Sequence, residues 1–322
     1  MNRTNRLKET IYCIFLGVLA FLISCSSKPG AQDDRRATTK AAGASSRQLL
    51  VETEWLASMG GTAKLRLIDY GRKIGEYQKG HIPGAVFLDR RTVWDKVNGI
   101  PGMLPGVETI VAELEKAGIS NDNMVVIYDG NSGLWASRLF WALEYLGHQD
   151  THILNGGWSK WIRENRQVQK TVYMPPPGKF TPHVQPDLLA TQNWILENLN
   201  NPDVQIIDTR SSREYTGEDI RAAQGGHIPG AIHINWIHNL KSDGSKTFLH
   251  DEKLAELYDS RNIKKEKEIV TLCQTGVRGA HTYVVLKLLG YPNVRVYDGS
   301  WAEWGNNHRT PLINEPTGSG KK

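Results

Sequence analysis

An internal repeat runs through the body of the chain and sets its architecture. The motif Gly-His-Ile-Pro-Gly-Ala occurs at 80–85 and again, unchanged, at 226–231, an offset of 146 residues. A turn with two tryptophans closes each copy, at 155–161 and 298–304, where the offset is 143. Because the offset drifts so little, the pattern indicates two tandem domains of one fold rather than a solenoid of short repeats.

Each copy alternates continuous Val/Ile-rich stretches with helical patterns. Apolar runs of this kind are typical of parallel strands that are covered on both faces. We therefore predict an α/β protein with two tandem domains, each a mainly parallel sheet flanked by helices. The N-terminal domain is expected at 48–167 and the C-terminal domain at 188–312. A linker at 168–187 contains the sequence Pro-Pro-Pro-Gly.

Residues 1–24 are typical of a lipoprotein signal peptide, with three basic residues before an apolar run too short to span a bilayer comfortably. The run ends in Leu-Ile-Ser-Cys, which predicts that Cys25 is diacylated and becomes the first mature residue. An uncleaved anchor helix and cleavage without lipidation are the alternatives. Polar residues 25–47 suggest a flexible tether, and 313–322 a disordered tail.

These features predict a lipid-anchored membrane protein of the cell envelope that faces the periplasm. Serine rather than aspartate at position 26 favours the outer membrane. Loss of residues 1–24 removes three basic residues and one acidic residue, so the formal charge falls from +5 to +3. A charge this small argues against nucleic-acid binding and is compatible with a small anionic substrate.

The cysteine count leaves a single thiol in the folded body. Cys13 leaves with the signal peptide and Cys25 is expected to carry lipid, so Cys273 has no disulfide partner. The Cys273 loop follows a β-branched stretch and precedes a helical pattern. Gly276 permits a tight turn, and Arg278 adds a permanent cation. Amides at a helix N-terminus favour a thiolate, although a buried structural cysteine is the alternative.

Comparison of the two copies separates the reactive residue from the shared framework. Asp129 stands at the cysteine position of the N-terminal copy, and the loop after it lacks the closing arginine. We therefore predict a catalytic C-terminal domain and a catalytically inactive N-terminal domain. His81 and His227 occur in both copies, so we interpret them as turn residues that bond to the backbone.

The two Gly-His-Ile-Pro-Gly-Ala turns, the two tryptophan turns and the loop 273–278 together resemble a two-domain rhodanese over about 48–312. The resemblance implies a sulfurtransferase in which Cys273 takes the outer sulfur of thiosulfate, releases sulfite and holds a persulfide. A thiophilic acceptor, cyanide or a thiol, then takes the sulfur. The same resemblance implies that the donor is bound by the residues after the cysteine, namely Gln274, Thr275, Gly276, Val277 and Arg278.

The resemblance further implies a monomer that needs no cofactor, and no metal-ligand spacing is present in the sequence. Its partners are a small anionic sulfur donor and a thiophilic acceptor. Four residues separate Cys273 from Arg278, whereas related phosphatases have five. The shorter loop favours transfer of a single sulfur over phosphatase or arsenate-reductase activity.

The donor is less sharply defined by the sequence. Mercaptopyruvate-specific relatives usually carry Cys-Gly-Ser/Ala-Gly-Val-Thr, and many thiosulfate enzymes carry Cys-Arg-Lys-Gly-Val-Thr. The sequence Cys-Gln-Thr-Gly-Val-Arg matches neither in full. We predict thiosulfate. A 3-mercaptopyruvate sulfurtransferase and a non-turnover sulfur carrier for an envelope partner remain as alternatives.

Two-domain relatives bind the donor anion with an arginine in the segment after the aspartate of the second repeat. Glu214 occupies that position here, and Arg213 lies one residue away. Arg213 and Arg210 are therefore candidates for donor binding, with a surface salt bridge as the alternative for each.

Overall fold

The computed structural model describes residues 48–59 and 64–314. The predicted signal peptide, the predicted lipidation site at Cys25, the tether and most of the predicted tail lie outside the described residues. Among the helices that are described, none has the length and apolar character needed to cross a membrane.

The N-terminal domain is built from alternating strands and helices with one hairpin inserted. Its strands are β1 (Leu50–Val51), β2 (Leu65–Tyr70), β3 (Val86–Leu88), β4 (Asp95–Val97), β5 (Ile100–Met103), β6 (Met124–Tyr128) and β7 (Thr151–Leu154). Its helices are α1 (Thr53–Met59), α2 (Ile74–Lys79), α3 (Val107–Lys116), α4 (Leu134–Tyr145) and α5 (Gly157–Arg163), with a 3-10 turn at Arg90–Thr92.

The C-terminal domain repeats this order. Its strands are β8 (Leu189–Ala190), β9 (Val204–Asp208), β10 (Ile232–His233), β11 (Glu268–Leu272) and β12 (Val294–Tyr297). Its helices are α6 (Gln192–Asn198), α7 (Ser212–Thr216), α8 (Asp251–Asp259), α9 (Val277–Leu288) and α10 (Ser300–Trp304), with 3-10 turns at Pro186–Leu188 and Trp236–Asn239.

The two main sheets have the same topology. One has the order β1-β7-β6-β2-β3, and the other, read in the same direction, has the order β8-β12-β11-β9-β10. All pairs within these five-stranded sheets are parallel, whereas β4 and β5 form a separate antiparallel hairpin. The predicted fold of two tandem, mainly parallel α/β domains is thus confirmed.

The sheet register brings the residues of interest to one edge of each domain. In the C-terminal sheet Asp208 pairs with Leu272, so Cys273 emerges beside the carboxyl end of β9. In the N-terminal sheet Asp69 pairs with Tyr128, which places Asp129 at the equivalent point. Loops at the carboxyl ends of parallel strands are the usual location of functional residues in open α/β sheets.

The two domains share a central core. Helices α4 and α9 pack against each other, and one hydrophobic cluster extends from Ile68 and Val125 in the N-terminal domain to Tyr283 and Val296 in the C-terminal domain. A smaller cluster covers the outer face of each sheet. Because α4 and α9 begin directly after the loops that carry Asp129 and Cys273, this packing brings both loops to the domain interface.

The predicted linker is packed against the N-terminal domain rather than free of it. Gln169 forms an antiparallel bridge with His81, and the Gly178 amide donates to the carbonyl of Glu115 at 2.7 Å. At the other end of the body, Ile313 was assigned to the tail by sequence. In the structure it forms a bridge with His227, because the strand-like end of the chain supplies the backbone groups that this turn needs.

Candidate active site

Cys273 lies between β11 and α9 and is 1% exposed. It is a free thiol. Its carbonyl accepts a hydrogen bond from the Trp301 amide at 2.9 Å, so the second tryptophan turn fixes the backbone at the start of the loop. The thiol therefore sits in a recessed, preorganised position at the N-terminus of a twelve-residue helix.

A serine that the sequence argument did not single out holds the Cys273 loop. The Ser300 hydroxyl accepts hydrogen bonds from the amides of Cys273 at 3.2 Å and Gly276 at 3.1 Å, and it donates to the Tyr297 carbonyl at 2.7 Å. Ser300 belongs to the second tryptophan turn, where the N-terminal copy has Gly157. This serine-for-glycine difference between the repeats is the signal that identifies it.

Gly276 is required by geometry at the start of α9. Its φ is +76°, in the left-handed region. A Cβ at this position would lie 2.7 Å from Nη1 of Arg138 and 3.1 Å from the Asp298 carbonyl. A side chain here would displace both groups, which explains why the loop carries glycine.

Arg278 bridges the thiol and a carboxylate. Its two terminal nitrogens donate to Glu214 at 2.7 and 2.8 Å. The guanidinium also interacts electrostatically with the side chain of Cys273. Burial alone lowers the pKa of Arg278, but the hydrogen bonds to Glu214 and the charge of Cys273 outweigh it, so the pKa is raised. Arg278 is thus a fixed cation beside the sulfur.

Glu214 is the counter-ion of this arginine and was not expected to be one. It is 2% exposed, and its carboxylate also accepts from the amide of Ser211 at 3.0 Å and from Arg221 at 3.1 Å. Burial raises the pKa of Glu214, but the Arg278 hydrogen bonds and charge hold it well below its ordinary value. The carboxylate therefore stays ionised at neutral pH.

The two arginine candidates near Glu214 lie in different environments. The Arg213 side chain is 75% exposed, with Nε 3.7 Å from Glu218, so the structure places it at the surface as a salt-bridge residue. Its predicted role in donor binding stays a prediction. Arg210 is buried, pairs with Asp208 at 2.6 Å and lies over the Trp301 ring at 4.3 Å.

The N-terminal domain shows that Arg210 has a structural role. Arg72 pairs with Asp69 at 2.6 Å, donates to the Gly80 carbonyl at 3.0 Å and lies over the Trp158 ring at 4.2 Å. Arg210 makes the matching contact to the Gly226 carbonyl at 2.6 Å. Because the copy without a cysteine keeps the same arrangement, it serves the framework rather than the chemistry.

The remaining predicted loop residues contact their surroundings in three ways. The Gln274 side chain donates to the Arg221 carbonyl at 2.9 Å, and Val277 is buried. Thr275 faces the β4–β5 hairpin, since a Cβ on Gly102 would lie 2.5 Å from that of Thr275. The N-terminal domain therefore forms one wall beside the loop.

A second contact ties the N-terminal domain to the site. Arg138, on α4, is fully buried and donates to Asp298 at 2.6 Å across the interface. The other oxygen of Asp298 accepts from the Leu104 amide at 2.7 Å. Arg138 also donates to the carbonyls of Val93 and Gly102, which fixes the hairpin over the Cys273 loop.

The loop that follows Asp129 in the N-terminal domain binds a carboxylate through its backbone amides. The Asp129 carboxylate accepts four backbone amides within its own loop, at 2.7 to 3.1 Å, from Asn131, Gly133, Trp135 and Ala136. Burial raises the pKa of Asp129 and these amides oppose the increase. The loop is thus an anion cradle that is occupied by its own side chain.

The shared histidines are structural, as predicted. Nδ1 of His81 lies 2.8 Å from the Tyr77 carbonyl, and Nδ1 of His227 lies 2.9 Å from that of Tyr215. The His81 ring stacks on Tyr77 with ring centroids 3.8 Å apart, and the His227 ring stacks on Tyr215 with centroids 3.7 Å apart.

Within 48–59 and 64–314, no group of three or more acidic, histidine or cysteine side chains is arranged to hold a metal ion.

Comparison with known proteins places this geometry in context. The chain is 36% identical to a thiosulfate sulfurtransferase of Pseudomonas aeruginosa, over 82% of this chain and 96% of that protein. It is also 36% identical to the sulfur carrier protein TtuD of Thermus thermophilus, over 85% of this chain and 98% of that protein. The crystal structure of SseA, a 3-mercaptopyruvate sulfotransferase from Escherichia coli, superposes with a TM-score of 0.72 at 28% identity, over 79% of this chain and 99% of that one.

The family model for the rhodanese-like domain matches twice, at residues 52–164 and 191–307. The two matches fall on the two α/β domains and leave the packed linker between them. The chain therefore belongs to the rhodanese family, with two rhodanese-like domains in tandem.

Proposed function

We propose that this protein is a thiosulfate sulfurtransferase that works through a persulfide on Cys273. One observation carries the proposal: the same anion-binding loop occurs twice, filled by Asp129 in one domain and presenting the free thiol of Cys273 beside Arg278 in the other. The relatives named thiosulfate sulfurtransferase, at 32–36% identity over most of the chain, support the same donor.

In the first half-reaction the Cys273 thiolate attacks the outer sulfur of thiosulfate. A bond forms between Sγ and that sulfur, the S–S bond of thiosulfate breaks, and its electron pair leaves with sulfite. The anionic persulfide that results needs stabilisation. In the N-terminal loop the carboxylate is bound by the amides of the residues two and three positions after the left-handed Gly133, which are Trp135 and Ala136. The residues two and three positions after the left-handed Gly276 are Arg278 and Gly279. We infer that their amides face the sulfur.

In the second half-reaction a nucleophile such as cyanide attacks the outer sulfur of the persulfide. The new bond joins carbon to sulfur, the bond to Sγ breaks, and the thiolate is restored as thiocyanate leaves. Arg278 stays beside the sulfur in both steps because Glu214 holds both of its terminal nitrogens. A fixed cation of this kind stabilises thiolate and persulfide without having to reorganise.

Thiocyanate release from thiosulfate and cyanide tests the proposal. Cys273→Ala is expected to abolish turnover and to prevent the mass increase of one sulfur atom that the wild-type protein gains with thiosulfate alone. The matched control is Ser132→Ala in the loop of the N-terminal domain, which should leave turnover within twofold. Undiminished turnover in Cys273→Ala would remove this residue from the reaction.

Two other functions keep the persulfide but change its source or fate. The likeness to SseA favours 3-mercaptopyruvate as a donor, and the likeness to TtuD favours a carrier that hands sulfur to a protein. Parallel kinetics with both donors separate the first from thiosulfate. Stable persulfide loading with slow release to cyanide, together with fast release to a protein acceptor, would support the carrier.

We also propose that the protein is anchored in the cell envelope by lipid on Cys25. The apolar run that ends in Leu-Ile-Ser-Cys supports this location. Cys25→Ala should abolish incorporation of labelled fatty acid and should leave the signal peptide uncleaved by the lipoprotein peptidase. Equal labelling of wild type and variant would refute lipidation at this residue.

A further inference from the structure

A buried acidic residue forms an ion pair with the arginine that ends the Cys273 loop. The Glu214 side chain is 3% exposed, and each of its oxygens is bound to one nitrogen of Arg278. Ser211 donates to it through both amide and hydroxyl, at 3.0 and 2.9 Å, and Arg221 donates at 3.1 Å. Glu214 is thus an ionised carboxylate whose oxygens are all hydrogen bonded, and Arg278 is the residue that links it to the Cys273 loop.

The charges around the loop leave little attraction for a strongly charged anion. Arg278 and Arg221 supply two positive charges and Glu214 supplies one negative charge, so this cluster carries a net +1. The neighbouring pairs Asp208–Arg210 and Asp298–Arg138 are each neutral. Without Glu214, the same pocket would carry a net +2 next to Cys273.

The N-terminal domain provides a matched position that separates charge from helix capping. Glu76 occupies the same place in its repeat and caps α2 through the amide of Lys73 at 2.7 Å. Glu214 caps α7 in the same way. Glu76, however, is exposed, and Trp135 stands where Arg278 stands in the catalytic domain. Capping explains a glutamate in both domains, but only Glu214 neutralises a cation beside the sulfur.

We propose that Glu214 is a specificity-determining residue that discriminates sulfur donors by charge, weakening the site for dianions relative to monoanions. The proposal rests on the sulfurtransferase function proposed above. Its basis is Coulomb's law: a negative charge several ångströms away, even when screened as strongly as in bulk water, opposes each unit of donor charge by about threefold in affinity. The penalty is therefore about tenfold for thiosulfate and about threefold for a monoanionic thiosulfonate.

The test compares thiosulfate with benzenethiosulfonate, which presents a sulfane sulfur with one negative charge. The ratio of their kcat/KM values cancels any change in the reactivity of the thiolate itself, which is common to both donors. Glu214→Gln, in the full-length protein, should raise the ratio in favour of thiosulfate by about threefold. Glu76→Gln should leave it unchanged. Arg221→Gln, at a half-exposed position, should lower it.

A second measurement does not depend on turnover. Iodoacetate and iodoacetamide alkylate the same thiolate but differ by one negative charge, so the ratio of their rates at Cys273 reports the local potential. Glu214→Gln should raise this ratio by about threefold. Thermal unfolding of each variant checks that the fold is intact, and Arg221→Gln carries the test if Glu214→Gln does not fold.

The possible results separate this inference from the proposed function. If the wild-type protein transfers no sulfur, the proposed function is overturned. The alkylation ratio would still report the effect of Glu214 on the potential at Cys273. Active wild-type protein with unchanged ratios in Glu214→Gln would overturn the inference alone. A fall in both ratios would also overturn it, since it would mean that the loss of Arg278 positioning outweighs the removal of the negative charge.

Discussion

The loops that begin at Asp129 and Cys273 occupy the same place in two copies of one fold, yet they are stabilised in opposite ways. The Asp129 loop is held from inside, by a carboxylate that accepts four of its own amides. The Cys273 loop is held from outside, by the Ser300 hydroxyl and by a cation that Glu214 keeps in place. A loop that must receive an anion from solution cannot carry one of its own, so its support has to come from neighbouring elements.

The comparison also bears on the N-terminal domain, which we predict to be catalytically inactive. The N-terminal domain supplies the hairpin that faces Thr275 and the buried Arg138 that pairs with Asp298. These contacts fix the catalytic loop without supplying a reactive group. The N-terminal domain therefore acts as a rigid wall of the site.

The largest effect is expected from removing the internal anion. Asp129→Ala leaves four loop amides without their acceptor, and it should lower the free energy of unfolding by about 3 kcal/mol. Cys273→Ala, in the externally supported loop, should cost only about 1 kcal/mol because the loop keeps its contacts to Ser300. Urea unfolding of both variants measures the difference. Equal losses would mean that the two loops are supported alike.

A smaller effect is expected from removing the external support. Ser300→Ala leaves the amides of Cys273 and Gly276 without an acceptor, and it should lower the unfolding free energy by about 2 kcal/mol. Turnover should fall by about tenfold or more, because a slightly displaced nucleophile reacts poorly. Ser159→Ala is the matched control, since that hydroxyl makes one long 3.4 Å contact in the N-terminal domain. Normal turnover in Ser300→Ala would show that the loop holds its own shape.

Much of this arrangement follows from the sequence because the protein contains its own reference copy. The repeat predicts the two sheets, and the replacement of Asp129 by Cys273 singles out the thiol. The histidine turns were assigned to the framework because both copies carry them. In the structure each histidine ring hydrogen bonds to a backbone carbonyl, as expected.

The pairings that the sequence did not reveal join residues that are far apart in the chain. Glu214 and Arg278 are 64 positions apart, and Arg138 and Asp298 are 160 apart. Neither pair lies on one helix or one turn, so no local spacing marks it. Arg213 was a candidate because it is next to Glu214 in sequence. Its side chain faces solvent, and its role in donor binding stays a prediction.

The aspartates that end β2 and β9 extend the comparison to pH. Asp208 is held by three contacts from the Arg210 guanidinium. Asp69 receives one contact from Arg72 and one from the Tyr128 hydroxyl, and its second oxygen is buried without a hydrogen-bond partner among the described residues. Burial, only partly offset by Arg72 and Tyr128, raises the pKa of Asp69 to about 6.

This raised pKa predicts an effect on stability that, unlike the two above, changes with pH. Folded protein binds the Asp69 proton more tightly than unfolded protein, so its contribution to stability is present below about pH 4 and is lost as the pH rises through about 6. In Asp69→Asn that loss is absent. The stability of the variant relative to wild type should therefore increase by about 1–3 kcal/mol between pH 4 and pH 7. Urea unfolding at the two pH values measures it, because all other titrating groups are common to both proteins. A stability difference that stays constant with pH would mean that Arg72 and Tyr128 fully offset the burial of the Asp69 carboxylate.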